Sequence, residues 1–305
     1  MEEPSWILRA VTYHFGSGDA LVVGLLFLML AAQGNCWNWS RSRVALFAVL
    51  GWVWIALASW PVLILQVALI VASVYWFVRC VLLSPTAATK SFLRTALGLW
   101  ILTVLLCAFR ESRGFTFAQP AGVEVAVIGD SITAGLNDGD DTWPRQLARR
   151  CDVVVRDASQ QGATVKSAHE QWIALERCGG VLILEIGGND LLEGYPVDRF
   201  ADDLEVLLRD AATAAQSIVM FELPLPPLSN AYGYHQRRLA RQYGVRLIPK
   251  RELVDILTTA GSTVDGIHLS DLGQSRLADC VKRILQLSQT SNDDSRYHRV
   301  ERRSL

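Results

Sequence analysis

The sequence predicts a three-layer α/β domain on a five-stranded parallel sheet, preceded by an all-α transmembrane bundle of about four helices. Two observations carry this. Hydrophobic residues make up 51% of the 305-residue chain and mean hydropathy is +0.24, both high for a soluble protein. Nearly all of that excess lies before residue 110. From residue 123 onward, short apolar runs alternate with amphipathic stretches, the pattern of βαβ units. Length suggests about two domains. The expected division is a helical membrane region at 1–112, a linker at 113–122, the α/β domain at 123–287 and a disordered polar tail at 288–305.

In the first half, apolar segments cover 20–33, 44–60, 62–77 and 92–109. Each approaches the length that crosses a hydrocarbon core of roughly 30 Å, the first being short. Pro61 divides the second from the third as a tight turn. Trp37, Trp39, Trp60 and Trp76 sit near segment ends, where an interfacial belt belongs. A cleaved signal peptide fits poorly, because Glu2, Glu3 and Asp19 surround the start and "LAAQGNC" is a poor cleavage site. Arg41 and Arg43 follow the first segment, and Arg79, Lys90 and Arg94 follow the third. These two basic loops share one face, so both chain ends fall on the other. Arg110 and Arg113 oppose that count. The expected location is therefore a bacterial inner membrane, with the second domain on the periplasmic side. No ionisable residue lies mid-segment, which argues for an anchor and against a transporter.

The second half reads in order. "VEVAVI" is a strand and "TWPRQLARR" a helix with Thr142 at its N-cap. "DVVVRDA" is a strand, and "TVKSAHEQWIALERC" a helix closed by Gly179 and Gly180. "VLILEI" is a strand buried on both faces. "VDRFADDLEVLLRDAATAA" is an amphipathic helix. "SIVMFEL", "YHQRRLARQYG", "VRLIP" and "SDLGQSRLADCVKRILQL" give strand, helix, strand and helix.

Open parallel sheets bind ligands beyond the carboxyl ends of their strands. Four small-polar clusters fall there: Gly129-Asp130-Ser131, "SQQGAT" with Gly162, Gly187-Gly188-Asn189-Asp190, and "VDGIHLS" with Asp265 and His268. A serine hydroxyl needs a base to become a nucleophile. His268 suits that role near neutral pH, and Asp265, three residues earlier, suits fixing its tautomer. A developing oxyanion needs fixed donors; the Ser131 and Gly162 amides and the Asn189 side chain are the candidates. Asp130, Gly188 and Asp190 are expected to brace these turns.

These clusters resemble the blocks of the SGNH (GDSL) hydrolase superfamily. "GDSITAG" resembles block I, Gly162 the block II glycine, "GGND" block III and "DGIH" block V. "VLILEIGGNDLLEG" is similar to the bacterial thioesterase/lysophospholipase branch. The resemblance covers roughly 123–287 and implies a carboxylic ester hydrolase working through an acyl-enzyme on Ser131, with no cofactor and no metal. The membrane bundle lies outside it. Where many relatives carry Pro-Asn after the histidine, this chain has Leu269 and Ser270, an expected change at the substrate mouth.

The tether favours a membrane-proximal ester such as an acyl lipid, with the bilayer itself a partner. An O-acetyl esterase or O-acyltransferase acting on cell-envelope carbohydrate is the alternative, and a non-catalytic scaffold is the reading from another class. The formal net charge of −1 gives no reason to expect a nucleic-acid partner. "HEQWI" at His169 lacks the second histidine of a zinc site. "NDGDD" at 137–141 lacks calcium-loop spacing. None of the cysteines (Cys36, Cys80, Cys107, Cys151, Cys178, Cys280) forms a CxxC pair. Pairing of Cys151 with Cys178 is left open by spacing alone.

Overall fold

The computed structural model describes residues 5–58, 63–83, 86–111, 114–175 and 180–289. The chain divides into two compact units. A helical unit holds His14–Arg113 with Leu225–Asn230, and an α/β unit holds Met1–Tyr13, Gly114–Pro224 and Ala231–Leu305.

The first helix, α1 (Trp6–Gly16), is one the apolar pattern does not announce. It precedes α2 (Asp19–Cys36), α3 (Arg41–Leu57), α4 (Leu63–Phe77, continued by a π-helical turn, Val78–Leu82) and α5 (Ala87–Glu111). Ser40 caps α3 by accepting from the Arg43 amide. Helices α2 and α3 pack through glycines. A Cβ on Gly24 would lie 2.7 Å from Ile55 Cγ1, and one on Gly51 would lie 2.8 Å from Leu28 Cδ2. The two backbones can come this close only because those side chains are missing.

The four-span expectation is met only in part. Among the described residues, one helix, Asp19–Cys36, is long and apolar enough to cross a membrane by length and composition; its position near the N-terminus also suits a signal sequence. The apolar part of the next segments is shorter, at Val67–Leu82 for one. Helix α3 has 17 residues and begins with Arg41 and Arg43. Helix α5 carries Lys90 and Arg94 in its first turns. The turn expected at Pro61 lies outside the described residues.

The α/β unit runs β1 (Val123–Gly129), α6 (Ser131–Ala134), α7 (Trp143–Arg150), β2 (Val153–Asp157), α8 (Val165–Ala174), β3 (Val181–Glu185), α9 (Gly188–Leu192), α10 (Val197–Ala211), β4 (Ser217–Phe221), α11 (Asn230–Gln242), β5 (Arg246–Ile248), α12 (Lys250–Thr258) and α13 (Asp271–Leu285). The five strands are parallel in the order β2-β1-β3-β4-β5. The winding therefore reverses between β1 and β3, the point where an open sheet leaves a crevice for ligand. The register pairs Gly129 with Glu185 at that crevice.

One face of the sheet is covered by α7 and α13. Trp143, Leu147, Leu277, Val281 and Ile284 close over Val125, Val127 and Ile183. Thr142 does occupy the N-cap position of α7, but its side chain makes no cap bond; the Trp143 amide is taken instead by Gln274 Oε1 at 2.8 Å. Helix α8 opens on a capping box of Thr164 and Ser167 and ends at Ala174, earlier than the sequence pattern suggests; the expected stop at Gly179 lies outside the described residues.

The expected linker is docked by residue 115. Phe115 and Phe117 pack on the core of the α/β unit, the Phe117 amide donates to the Ile284 carbonyl at 3.0 Å, and the Arg246 guanidinium stands 4.1 Å over the Phe117 ring. The first residues of the expected tail are also held, with the Asp152 amide donating to the Ser288 carbonyl at 3.1 Å and Cys151 bridging to Gln289. The rest of the tail lies outside the described residues. Cys151 is a buried free thiol, and Cys178 lies outside them.

Candidate active site

Strand β1 ends where its chain must turn sharply. A Cβ on Gly129 would stand 2.5 Å from Thr133 Oγ1, so only glycine lets α6 fold back this tightly. Asp130 caps α6, its Oδ1 accepting from the Ile132 amide at 2.9 Å. Its own amide donates to the Glu185 carbonyl at 3.2 Å, tying the end of β1 to β3. Asp130, Ile132 and Thr133 are buried; Ser131, the first residue of α6, is partly open. Gln274 of α13 locks this helix from behind, its Nε2 donating to the Ile132 carbonyl at 3.0 Å while Oε1 holds the Trp143 amide.

Asp265 and His268 form a pair inside one loop. Asp265 Oδ2 lies 2.6 Å from His268 Nδ1. Oδ1 accepts from the Ile267 amide at 2.9 Å and the His268 amide at 2.8 Å. Gly266, at φ +95°, makes the turn between them possible. Burial pushes the Asp265 carboxyl up, but the bonds from the His268 ring and amide and the Ile267 amide outweigh it and hold it at about 2. The loop is closed on itself by the Val264 amide donating to the His268 carbonyl at 2.9 Å and the Ser270 amide donating to the Ser262 carbonyl at 2.9 Å.

The remaining two clusters meet directly. The loop after β2 is pinned to β1 by the Ala158 and Gln160 amides, which donate to the Val127 and Gly129 carbonyls at 3.0 and 3.1 Å. Gly162 has φ +70° and open space where a Cβ would be. Asn189 Nδ2 donates to the Ala163 carbonyl at 2.9 Å, which leaves its second N–H available. Asp190 is buried and its Oδ2 accepts from the Val165 amide at 3.0 Å, so it braces the start of α8. Gly188 stands against the first cluster, since a Cβ there would lie 3.2 Å from Asp130 Oδ2.

The clusters at 130, 162 and 189 are thus joined by direct contacts. His268 lies near enough to Asp130 for its charge to lower that carboxyl. Among the described residues no hydrogen bond joins Ser131 to His268. Nucleophile–base bonds are often loose in unliganded sites and tighten on binding. Among the described residues no group of three or more His, Cys, Asp or Glu side chains could hold a metal ion.

One residue here was missed from the sequence. Glu185 closes β3 and is 4% exposed. Its Oε2 accepts from Thr133 Oγ1 at 3.0 Å, and that hydroxyl accepts from Trp143 Nε1 at 3.2 Å. Burial, with Asp130 beside it, pushes the Glu185 carboxyl well up. The signal was a lone acid inside "VLILEI", a run otherwise apolar throughout.

Residues 127–276 match the GDSL-like Lipase/Acylhydrolase family. Thioesterase 1/protease 1/lysophospholipase L1 of Escherichia coli K12 is 26% identical over 190 residues, covering 56% of this chain and 87% of its own. Esterase TesA of Pseudomonas aeruginosa is 29% identical over 178 residues, covering 53% of this chain and 88% of its own. A crystal structure of TesA is 26% identical and superposes with a TM-score of 0.46, covering 52% of this chain and 95% of its own.

Proposed function

We propose that this chain, a serine ester hydrolase of the GDSL/SGNH type, is a membrane-anchored esterase that cleaves acyl esters through an acyl-enzyme on Ser131. His268 takes the Ser131 proton and passes it to the leaving alcohol, then takes a proton from the attacking water and returns it to Ser131 as the acyl group departs. Asp265 orients the imidazole and stabilises its charged form. The Ser131 and Gly162 amides and the Asn189 side chain bind the oxyanion. Asp130, Gly188 and Asp190 hold the turns that carry these groups.

The observation that carries the reading is the 2.6 Å Asp265–His268 pair on a loop whose carboxylate is fully ionised at working pH. An acyl substrate is favoured by the surface of three site loops. Leu136, Leu192 and Ile267, one from each, are large apolar residues left exposed. The name of the Escherichia coli relative includes a lysophospholipase.

Membrane anchoring is favoured by the outer faces of the helical unit. Leu26 and Met29 of α2, Leu46 and Val49 of α3, Val71 of α4, and Leu99 and Leu102 of α5 are all exposed. Apolar faces on every helix are costly in water and ordinary in lipid. The bilayer and a membrane-proximal ester are the partners this reading assigns.

The test is hydrolysis of p-nitrophenyl esters from acetyl to palmitoyl by the full chain in detergent, wild type beside Ser131→Ala, with fluorophosphonate labelling. Serine-dependent turnover peaking at medium or long chains is expected. A peak at acetyl would move the reading to a carbohydrate O-acetyl esterase. No turnover and no labelling of wild type would leave a scaffold.

A further inference from the structure

Two carboxyl groups meet beneath the nucleophile turn. The Asp130 and Glu185 side chains are hydrogen-bonded to each other, and both residues are buried. Every other bond around them is committed. Asp130 Oδ1 takes the Ile132 amide. Glu185 Oε2 takes the Thr133 hydroxyl, whose lone proton is thereby used. That hydroxyl in turn accepts from Trp143. Gly188 closes the space over Asp130 Oδ2. Two touching buried carboxyls cannot both be ionised, so one proton must lie between them.

Which group holds the proton follows from the surroundings. At Glu185 burial and the Asp130 carboxylate oppose a charge more strongly than the Thr133 hydroxyl and the Asp130 backbone favour it. Asp130 has the Ile132 amide and the charge of His268 in its favour, against burial and the charge of Asp190. The proton therefore sits on Glu185 and points at Asp130.

We propose that Glu185 is a positioning residue for ester hydrolysis: it donates to Asp130, and through Asp130 it fixes the turn that aims Ser131. This rests on Ser131 being the nucleophile. A neutral acid in this place does two things at once. It holds the cap of α6 at the angle the turn requires, and it leaves a single negative charge beside Ser131, on the side where His268 becomes cationic during attack. Loss of the proton at alkaline pH puts a second anion into a closed pocket and pushes the turn apart.

The experiment compares wild type, Glu185→Gln and Glu185→Leu, full chain in detergent, by kcat and KM from pH 5 to 9 after subtraction of spontaneous hydrolysis, with thermal unfolding alongside. Wild type should lose kcat on its alkaline side. Glu185→Gln keeps a donor without a titrating proton, so it should hold kcat within about threefold at neutral pH and lose the alkaline fall. Glu185→Leu should lower kcat at least tenfold with KM little changed. An alkaline limb that persists in Glu185→Gln overturns the proposal, and so does wild-type kcat in Glu185→Leu. If Glu185→Leu fails to fold, the Glu185→Gln profile decides alone. Fluorophosphonate labelling of wild type separates the two readings. Without labelling, the Ser131 assignment falls; with labelling and unaltered variants, only the role of Glu185 does.

Discussion

Asp265 and His268 are three residues apart and bonded twice, ring to carboxylate at 2.6 Å and amide to carboxylate at 2.8 Å. The same side chain thus shapes the loop and faces the base. Replacing it with asparagine keeps the size and removes the charge. Asp265→Asn should lower kcat by a factor on the order of 10⁴, because the amide favours the wrong imidazole tautomer. Steady-state kinetics on a p-nitrophenyl ester measures this, and a loss under tenfold would mean another acid orients His268.

The same carboxylate makes the fold acid-sensitive. Its folded value of about 2 lies below the model-peptide value near 3.8. A group depressed in this way stabilises the fold above its unfolded value, and the contribution fades as pH falls through the folded one. The window is therefore pH 4 down to 2, and the amount about 2 kcal/mol. Thermal unfolding of wild type should drop more steeply across that window than that of Asp265→Asn. Parallel curves would show the bond to be weaker than its length implies.

Asn189 has a second test to pass, since one of its N–H groups already supports the Ala163 carbonyl. Asn189→Ala should lower kcat by about 10²–10³, the usual effect of removing one oxyanion donor, with a smaller change in KM. If KM and unfolding temperature move while kcat holds, the side chain only braces the Gly162 loop.

Gly273 lies in the first turn of α13, where the Asp265–His268 loop turns back. A Cβ there would stand 2.1 Å from the Ser262 carbonyl oxygen, a backbone atom that cannot rotate away. Gly273→Ala should destabilise the α/β unit by about 1–3 kcal/mol, the range for forced overpacking, and lower kcat by moving His268. Denaturant titration with activity read in parallel checks both; an unchanged midpoint would show that the loop yields freely.

The sheet was legible because its strands are short, largely apolar runs, three of which end in a glycine or an acid. The site was legible for the same reason: Gly129, Gly162 and Gly187 mark turns that apolar packing does not demand. What escaped has physical causes. Helices α6 and α9 have only four and five residues, too few for a period to appear. Helix α12 did carry an apolar face in Leu253, Val254 and Ile256, hidden between Pro249 and the polar loop beyond. Thr142 was read as a cap by residue type, whereas Gln274, 131 residues away, takes the amide; no local rule reaches that far. Glu185 was passed over because the strand around it argued for burial and nothing local announced its partner. In the helical unit composition spoke clearly, yet among the described residues one helix, Asp19–Cys36, is both long and apolar enough to cross a membrane.

Gln274 also sets an order of events during synthesis. It clasps Ile132 and Trp143 from a helix made some 130 residues later, and His268 itself emerges just before it. A ribosome that has finished β1 through β5 has therefore made the proposed nucleophile, Ser131, with neither its proposed base nor its clasp. Because domains settle as units once their chain is available, the turn that carries Ser131 is completed only when α13 has left the exit tunnel. Chains interrupted upstream of that helix carry Ser131 without the side chain that clasps its turn.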